Sequence, residues 1–200
     1  MLLDADECQL VLVDYQERLM PVIHEAQAVL ANARRLARIA QCMRVPTWGT
    51  EQNPARLGAN DAQLRELCKG TLEKMHFSAV ADGLAEMLVP QAASPRGNAR
   101  SLPRHLRKSE PQGPERPGIV IAGCEAHVCL LQTALDLIDD EWEVWVVTDA
   151  CGSRTERSRD AAFDRLAGAG AELVTTEMVA FEWLRTCEHS AFKEVHALIK

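Results

Sequence analysis

Two rhythms of apolar and polar positions alternate along this chain. Short apolar-rich runs recur at Gln9–Val13, Val45–Gly49, Thr71–Met75, Gly118–Ala122, Glu143–Val147 and Ala171–Val174. Runs of that length, bounded by turn residues, predict strands, and the continuous ones predict strands covered on both faces. Between them the apolar positions recur every three or four residues. Ala26–Met43 is the clearest case, with Val29, Leu30, Ala33, Leu36, Ala37 and Ala40 on one stripe, as a helix packed on a sheet requires. Ala79–Leu88, Ala126–Ile138, Glu156–Ala167, Glu177–Arg185 and Phe192–Ile199 follow the same rhythm, and Leu57–Leu67 reads as a short helix or irregular crossover. About six strands separated by helices predict an α/β fold, a parallel sheet with helices on both faces.

Gln91–Pro117 follows neither rhythm. It holds prolines at 95, 103, 111, 114 and 117 and little that would bury, so it reads as a flexible surface insertion within a single domain spanning 1–200. A lid or partner-binding arm and a tolerated excursion are both open readings of it. There is no internal repeat.

Composition narrows the function. A 200-residue chain suits one domain, and the 47% apolar and 26% charged shares are ordinary for a globular protein. The net charge of −7 argues against nucleic acid, and the basic stretch from Arg96 to Lys108 lacks interleaved aromatics. The opening MLLDADECQ has no basic region or apolar core of a signal peptide, and charges break every apolar run before membrane-spanning length. Seven cysteines without a CxxC pair fit free thiols in a reducing cytoplasm. Cys8, Cys42, Cys68 and Cys187 fall in or beside predicted elements and need no chemical role.

Ligands of such a sheet bind outside the carboxyl ends of its strands, and Asp14, Glu51, Lys74 and Cys129 all fall at or just beyond those ends. Cys129 lies in the first turn of the helix after the fourth strand, where unpaired N–H groups and the helix dipole favour thiolate. Asp14, closing LVLVDYQ, is a candidate general base, and Lys74 would hold it ionised and draw down the cysteine pKa. Taken singly, Asp14 also fits a turn or cap and Lys74 a surface lysine. Backbone N–H groups of Cys129 and of the Gly123–Ala126 turn are candidate oxyanion donors. His127 stands two residues from Cys129, a spacing that directs it elsewhere on a helix. Gln16, Glu51, Gln52, Phe77 and His127 are the candidate substrate-pocket residues. No zinc spacing appears among the histidines, and Gly168-Ala-Gly170 follows a helix instead of a strand, the reverse of a dinucleotide loop. The stretch Thr148–Arg154, between a strand and a helix, is expected to border the crevice.

The blocks LVLVDYQERLMP (Leu10–Pro21), TEQNPARLG (Thr50–Gly58), EKMHFSA (Glu73–Ala79), IAGCEAHVCLLQTALDL (Ile121–Leu137) and VVTDACGSR (Val146–Arg154) resemble the isochorismatase-like cysteine hydrolase superfamily. TEQ-x-P-x-x-LG and the ending FKEVHALIK resemble its isochorismatase domain-containing subgroup. The resemblance implies a three-layer α/β/α sandwich and an Asp14–Lys74–Cys129 triad whose cysteine attacks a carbonyl to form a thioester. It further implies a non-proline cis peptide at Cys124–Glu125, aiming the Glu125 N–H with that of Cys129. Nicotinamidase members carry an Asp-x-His metal site where this chain has Thr50-Glu51-Gln52-Asn53-Pro54, so no metal, no cofactor and no nicotinamide substrate are expected. Members that cleave the vinyl ether of isochorismate do not use the cysteine, which is present here.

The expectation is therefore a cofactor-independent hydrolase of a C–N bond, amide or carbamoyl, in a small molecule. A catalytically silent or redox-sensing protein with a reactive Cys129, resolved by Cys124 or Cys151, is the alternative. The family commonly assembles, so a homo-oligomer, dimer or tetramer, is expected without membrane or nucleic-acid partners. Trp142, Trp145, Phe181 and Trp183 fit either an interface or the core.

Overall fold

The computed structural model describes residues 2–89 and 116–200. The expected insertion at 91–117 falls outside them except for its last two residues. Six strands form one wholly parallel sheet: β1 (Cys8–Val13), β2 (Thr47–Gln52), β3 (Gly70–Lys74), β4 (Gly118–Gly123), β5 (Glu143–Val147) and β6 (Glu172–Val174). Their order is β3-β2-β1-β4-β5-β6. The chain thus builds outward from β1 in one direction and from β4 in the other. That leaves a switch point between β1 and β4, where a crevice opens beyond the strand ends. Every residue of these two central strands is buried.

Eight helices flank the sheet among the described residues: α1 (Ala26–Cys42), α2 (Pro54–Leu57), α3 (Ala62–Leu67), α4 (Leu84–Leu88), α5 (Leu131–Asp139), α6 (Glu156–Gly168), α7 (Thr176–Leu184) and α8 (Phe192–Ile199). The stripe of α1 buries Val29, Ala33, Leu36, Ala37 and Ala40, and the helix packs with α3, α7 and α8, while α5 packs with α6. Side-chain caps begin three helices: the oxygens of Asp61, Thr155 and Thr175 accept from the N–H of Leu64, Ser158 and Met178, satisfying donors that a helix start leaves open. No described helix is long and apolar enough to cross a membrane. Trp142, Trp145 and Trp183 belong to the core, and Phe181 is exposed.

Two expectations shift. The second strand starts at Thr47, not Val45, and runs on to Gln52. Pro46 has no N–H for the ladder, although its carbonyl accepts from Leu10 (2.8 Å), and the polar end Thr-Glu-Gln looked unlike strand by hydropathy alone. The helix after β4 opens with a π turn, Ala126–Leu130, before α5 begins.

The crevice turns are stitched to the loop after β5. Tyr15 donates its buried hydroxyl to the Ala150 carbonyl (2.6 Å), Gly152 N donates to Gly123 O (3.2 Å), and Ala126 N to Gly152 O (2.7 Å). At Gly123, paired with Val13, a Cβ would overlap the Val13 carbonyl and side chain, so close strand approach is why glycine stands there. Gly123→Ala should therefore destabilise the protein by about 2 kcal/mol, read as a lower urea midpoint with an unchanged m-value; an unmoved midpoint contradicts this packing.

Candidate functional site

Parallel register brings the ends of β1, β2, β3 and β4 to one level, with Val13 opposite both Thr50 and Gly123 and Gln52 opposite Lys74. The residue after β1 is Asp14, held at φ 54, a left-handed conformation that aspartate tolerates better than most side chains. Its N–H donates to Thr50 O (3.2 Å) and its side chain is fully buried. Carboxylate Oδ1 accepts the Thr50 hydroxyl at 2.7 Å. Oδ2 lies 2.8 Å from Lys74 Nζ in a buried ion pair.

Lys74 ends β3 with its side chain wholly out of solvent. The ammonium donates to Gln52 Oε1 (2.7 Å), Phe77 O (3.1 Å) and His76 O (3.4 Å). Strand β2 lies between β1 and β3, and its residues 50 and 52 share a face by the two-residue period. Thr50 and Gln52 thus fill the gap between acid and base. Gln52 is pinned in turn: its N–H donates to Gln16 Oε1 (2.9 Å) and its Nε2 to Met75 O (2.9 Å).

Cys129 approaches from the π turn, 94% buried, with Sγ 3.9 Å from Gln52 Oε1. Its pKa is pushed up to about 12, first by burial and then by the Asp14 charge, against a smaller downward pull from Lys74. The helix dipole, read from sequence as favouring thiolate, is outweighed: desolvation penalises the charged form and the nearest anion adds to it. The resting group is a thiol beside a carboxylate. The π turn arises where Leu130 N and Val128 N both donate to Glu125 O (3.3 and 3.0 Å), and such turns cluster at functional sites. The Cys124–Glu125 peptide is cis. The Glu125 N–H has no hydrogen-bond partner among the described residues, and its carboxylate is held by Arg154 through N (2.9 Å) and Nε (3.0 Å).

The structure draws Asp14, Lys74, Cys129 and Gln52 together, and it places other pocket candidates elsewhere. Gln16 is fully buried with both amide ends on neighbours: Nε2 on the carbonyls of Gln52 (3.0 Å) and Gly58 (2.7 Å), Oε1 on Gln52 N. These contacts make it a brace between β1 and the Gln52–Gly58 segment. Glu51, odd in a strand whose even residues face the site, points to the opposite face of the sheet, where Oε1 accepts from Asn60 N (2.8 Å) and pairs with Arg65 at 3.7 Å. Phe77 lends its carbonyl to Lys74 while its ring is 53% exposed. His127 Nδ1 pairs with Ser153 Oγ at 2.9 Å. Cys124 and Cys151 are fully buried and pushed up by desolvation, Cys151 to about 12. Among the described residues no group of three or more His, Cys, Asp or Glu could hold a metal ion. Thr50 was missed by sequence reading. Once the strand is extended to Gln52, its two-residue offset from Gln52 is the signal that exposes it.

The isochorismatase domain model matches residues 8–178. Isochorismatase domain-containing protein 2 of Bos taurus is 34% identical over 191 residues, 96% of this chain and 82% of that one. In three dimensions the chain resembles MAR1 ribonuclease from Caenorhabditis elegans, with a TM-score of 0.83 at 28% identity, covering 100% of this chain and 92% of the other. It has the fold of the YcaC gene product of Escherichia coli (TM-score 0.79, 23% identity, 100% and 89% coverage), described as an octameric hydrolase of unknown specificity. The chain belongs to the isochorismatase family.

Replacing Thr50 with valine removes the donor to Asp14 Oδ1 at nearly constant volume. The buried Oδ1 then loses its donor, and the protein should be destabilised by about 2 kcal/mol, read as a lower urea midpoint; an unmoved midpoint refutes this role for Thr50.

Proposed function

We propose that this protein is a cysteine hydrolase that cleaves a C–N bond, amide or carbamoyl, of a small molecule through a thioester on Cys129. The observation that carries the reading is a buried cluster at the strand ends that unites the Asp14 carboxylate, the Lys74 ammonium 2.8 Å from it and the Cys129 thiol, which feels both charges. Asp14 takes the thiol proton as sulfur attacks the carbonyl carbon. With the thiol at about 12, ionisation in advance of attack is too costly at neutral pH, so proton transfer accompanies bond formation. Lys74 offsets the negative charge accumulating on sulfur. The N–H groups of Glu125 and Cys129 receive the oxyanion, the nitrogen leaves with the proton held by Asp14, and a thioester remains. Water, deprotonated by Asp14, then releases the acid and the thiol is restored.

These steps need no cofactor, and the whole chain, residues 1–200, is taken as the catalytic domain, assembling with copies of itself. A redox-sensing role is weaker: sensor thiols are accessible and of low pKa, whereas Cys124, Cys129 and Cys151 are buried and raised. The net charge of −7 disfavours a polyanionic substrate by repulsion, although one structural relative is called a ribonuclease.

The test is ammonia release across a panel of small amides and carbamoyl compounds, with RNA degradation run in parallel. Cys129→Ala should lower turnover by at least about a thousandfold and abolish acyl trapping while the protein stays folded. Undiminished turnover in that variant, or Cys129-dependent cleavage of RNA alone, overturns the reading.

A further inference from the structure

The turn after β4 is fastened to the loop after β5, and one of its residues is fastened differently from the rest. Gly123 O accepts from Gly152 N (3.2 Å) and Ala126 N donates to Gly152 O (2.7 Å), both ties running through backbone. Glu125, between them, is tied through its side chain. Its carboxylate Oε2 accepts from Arg154 N (2.9 Å) and from Arg154 Nε (3.0 Å). The Glu125 side chain is buried, whereas that of Arg154 is largely exposed. A buried carboxylate on the residue whose N–H is to receive an oxyanion poses an electrostatic problem, because like charges repel more strongly out of water. Its charge is felt nearby: the Cys124 thiol, raised mainly by burial, is raised further by Glu125.

We infer that Arg154 is a positioning residue for the oxyanion: by holding and neutralising the Glu125 carboxylate, it leaves the Glu125 N–H able to receive the negative oxygen formed when Cys129 attacks a carbonyl. This rests on the hydrolase reading above and adds a residue outside its reacting groups. Two donors of one residue meet the same carboxylate oxygen, and one of them carries charge, so the clamp fixes the carboxylate and cancels its field together. The carbonyl of Glu125 is held as well, by Val128 N (3.0 Å) and Leu130 N (3.3 Å) in the π turn that carries Cys129. Side chain and N–H belong to one residue. A clamp on the first therefore limits the freedom of the second, and small misplacements of a catalytic donor are costly.

The experiment compares two reactions of the same sulfur at one pH. With p-nitrophenyl acetate, sulfur attacks the ester carbonyl and its proton passes to Asp14. The oxyanion then collapses, p-nitrophenolate leaves and an acetyl thioester remains. Iodoacetamide alkylates the sulfur by displacing iodide, and no oxyanion forms. Both reactions need the thiol proton removed, so their ratio isolates the oxyanion. Acylation is read as the part of the p-nitrophenolate burst lost in Cys129→Ala. Alkylation is read by peptide mass mapping, with the exposed Cys187 as internal reference. Arg154→Met should slow acylation about tenfold and leave alkylation within about twofold of wild type. Glu125→Ala removes the carboxylate and keeps the N–H, so adding Arg154→Met to it should slow acylation no further. Near-UV circular dichroism checks that each variant is folded, and should Glu125→Ala fail to fold, the ratio in Arg154→Met decides. No loss, a loss shared equally by both reactions, or one that persists in full beside Glu125→Ala overturns the inference. Cys129→Ala separates the two levels. If it keeps the whole burst, the thioester reading falls and the inference with it; if the burst needs Cys129 while Arg154→Met matches wild type, only the role of Arg154 falls.

Discussion

The buried pair of Asp14 and Lys74, at 2.8 Å with both side chains out of solvent, is the constraint around which the site is arranged. Removing either partner from such a pair typically costs about 3–5 kcal/mol, because the other is left charged and dry. The two residues are not on adjacent strands. They end β1 and β3, and β2 runs between them, so the pair reaches across the end of β2. What that strand places in the gap is decisive. Thr50 satisfies one carboxylate oxygen, Gln52 takes an ammonium proton, and the intervening Glu51 is sent by strand alternation to the far face of the sheet.

Burial first, and the pair second, set the state of the cysteine. A thiol at a helix start is commonly discussed as an activated thiolate, yet here burial and a facing carboxylate outweigh both the dipole and the ammonium. In the hydrolase reading proposed above, nucleophilicity would arise only as the proton leaves for Asp14. Such a site exposes no reactive thiolate to oxidants, in keeping with the burial of Cys124 and Cys151 behind it. The π turn and the cis Cys124–Glu125 peptide follow directly on β4, after a glycine that lets β4 approach β1.

Much of the architecture is legible from the chain. Buried strands are read as continuous apolar runs because both faces of a parallel sheet are covered, and β1, β4 and β5 were found within a residue of their bounds. The second strand differs from its apolar run because its carboxyl end is polar: Thr50 and Gln52 contact Asp14 and Lys74, Glu51 contacts Asn60 and Arg65, and hydropathy counts all three as loop. That difference hid Thr50 and left Glu51 among the pocket candidates, since side-chain direction follows from strand parity only once the strand is correctly bounded. Gln16 shows a different limit of the sequence. A polar residue beside a catalytic one looks functional in a sequence, and only its two backbone partners reveal a brace.

Taken alone, the amino-acid sequence determined the α/β class, the family and the identity of Asp14, Lys74 and Cys129 as a candidate set, because strand ends and motif spacing are local properties. Tertiary structure decided the rest: that β1 and β4 meet at the switch point, that Cys129 is buried beside a carboxylate, and that Lys74 meets Gln52, Phe77, His76 and Asp14 at once. Those outcomes depend on burial and on the angles between groups up to 115 residues apart, from Asp14 to Cys129. Neither quantity exists until the sheet has brought those groups together.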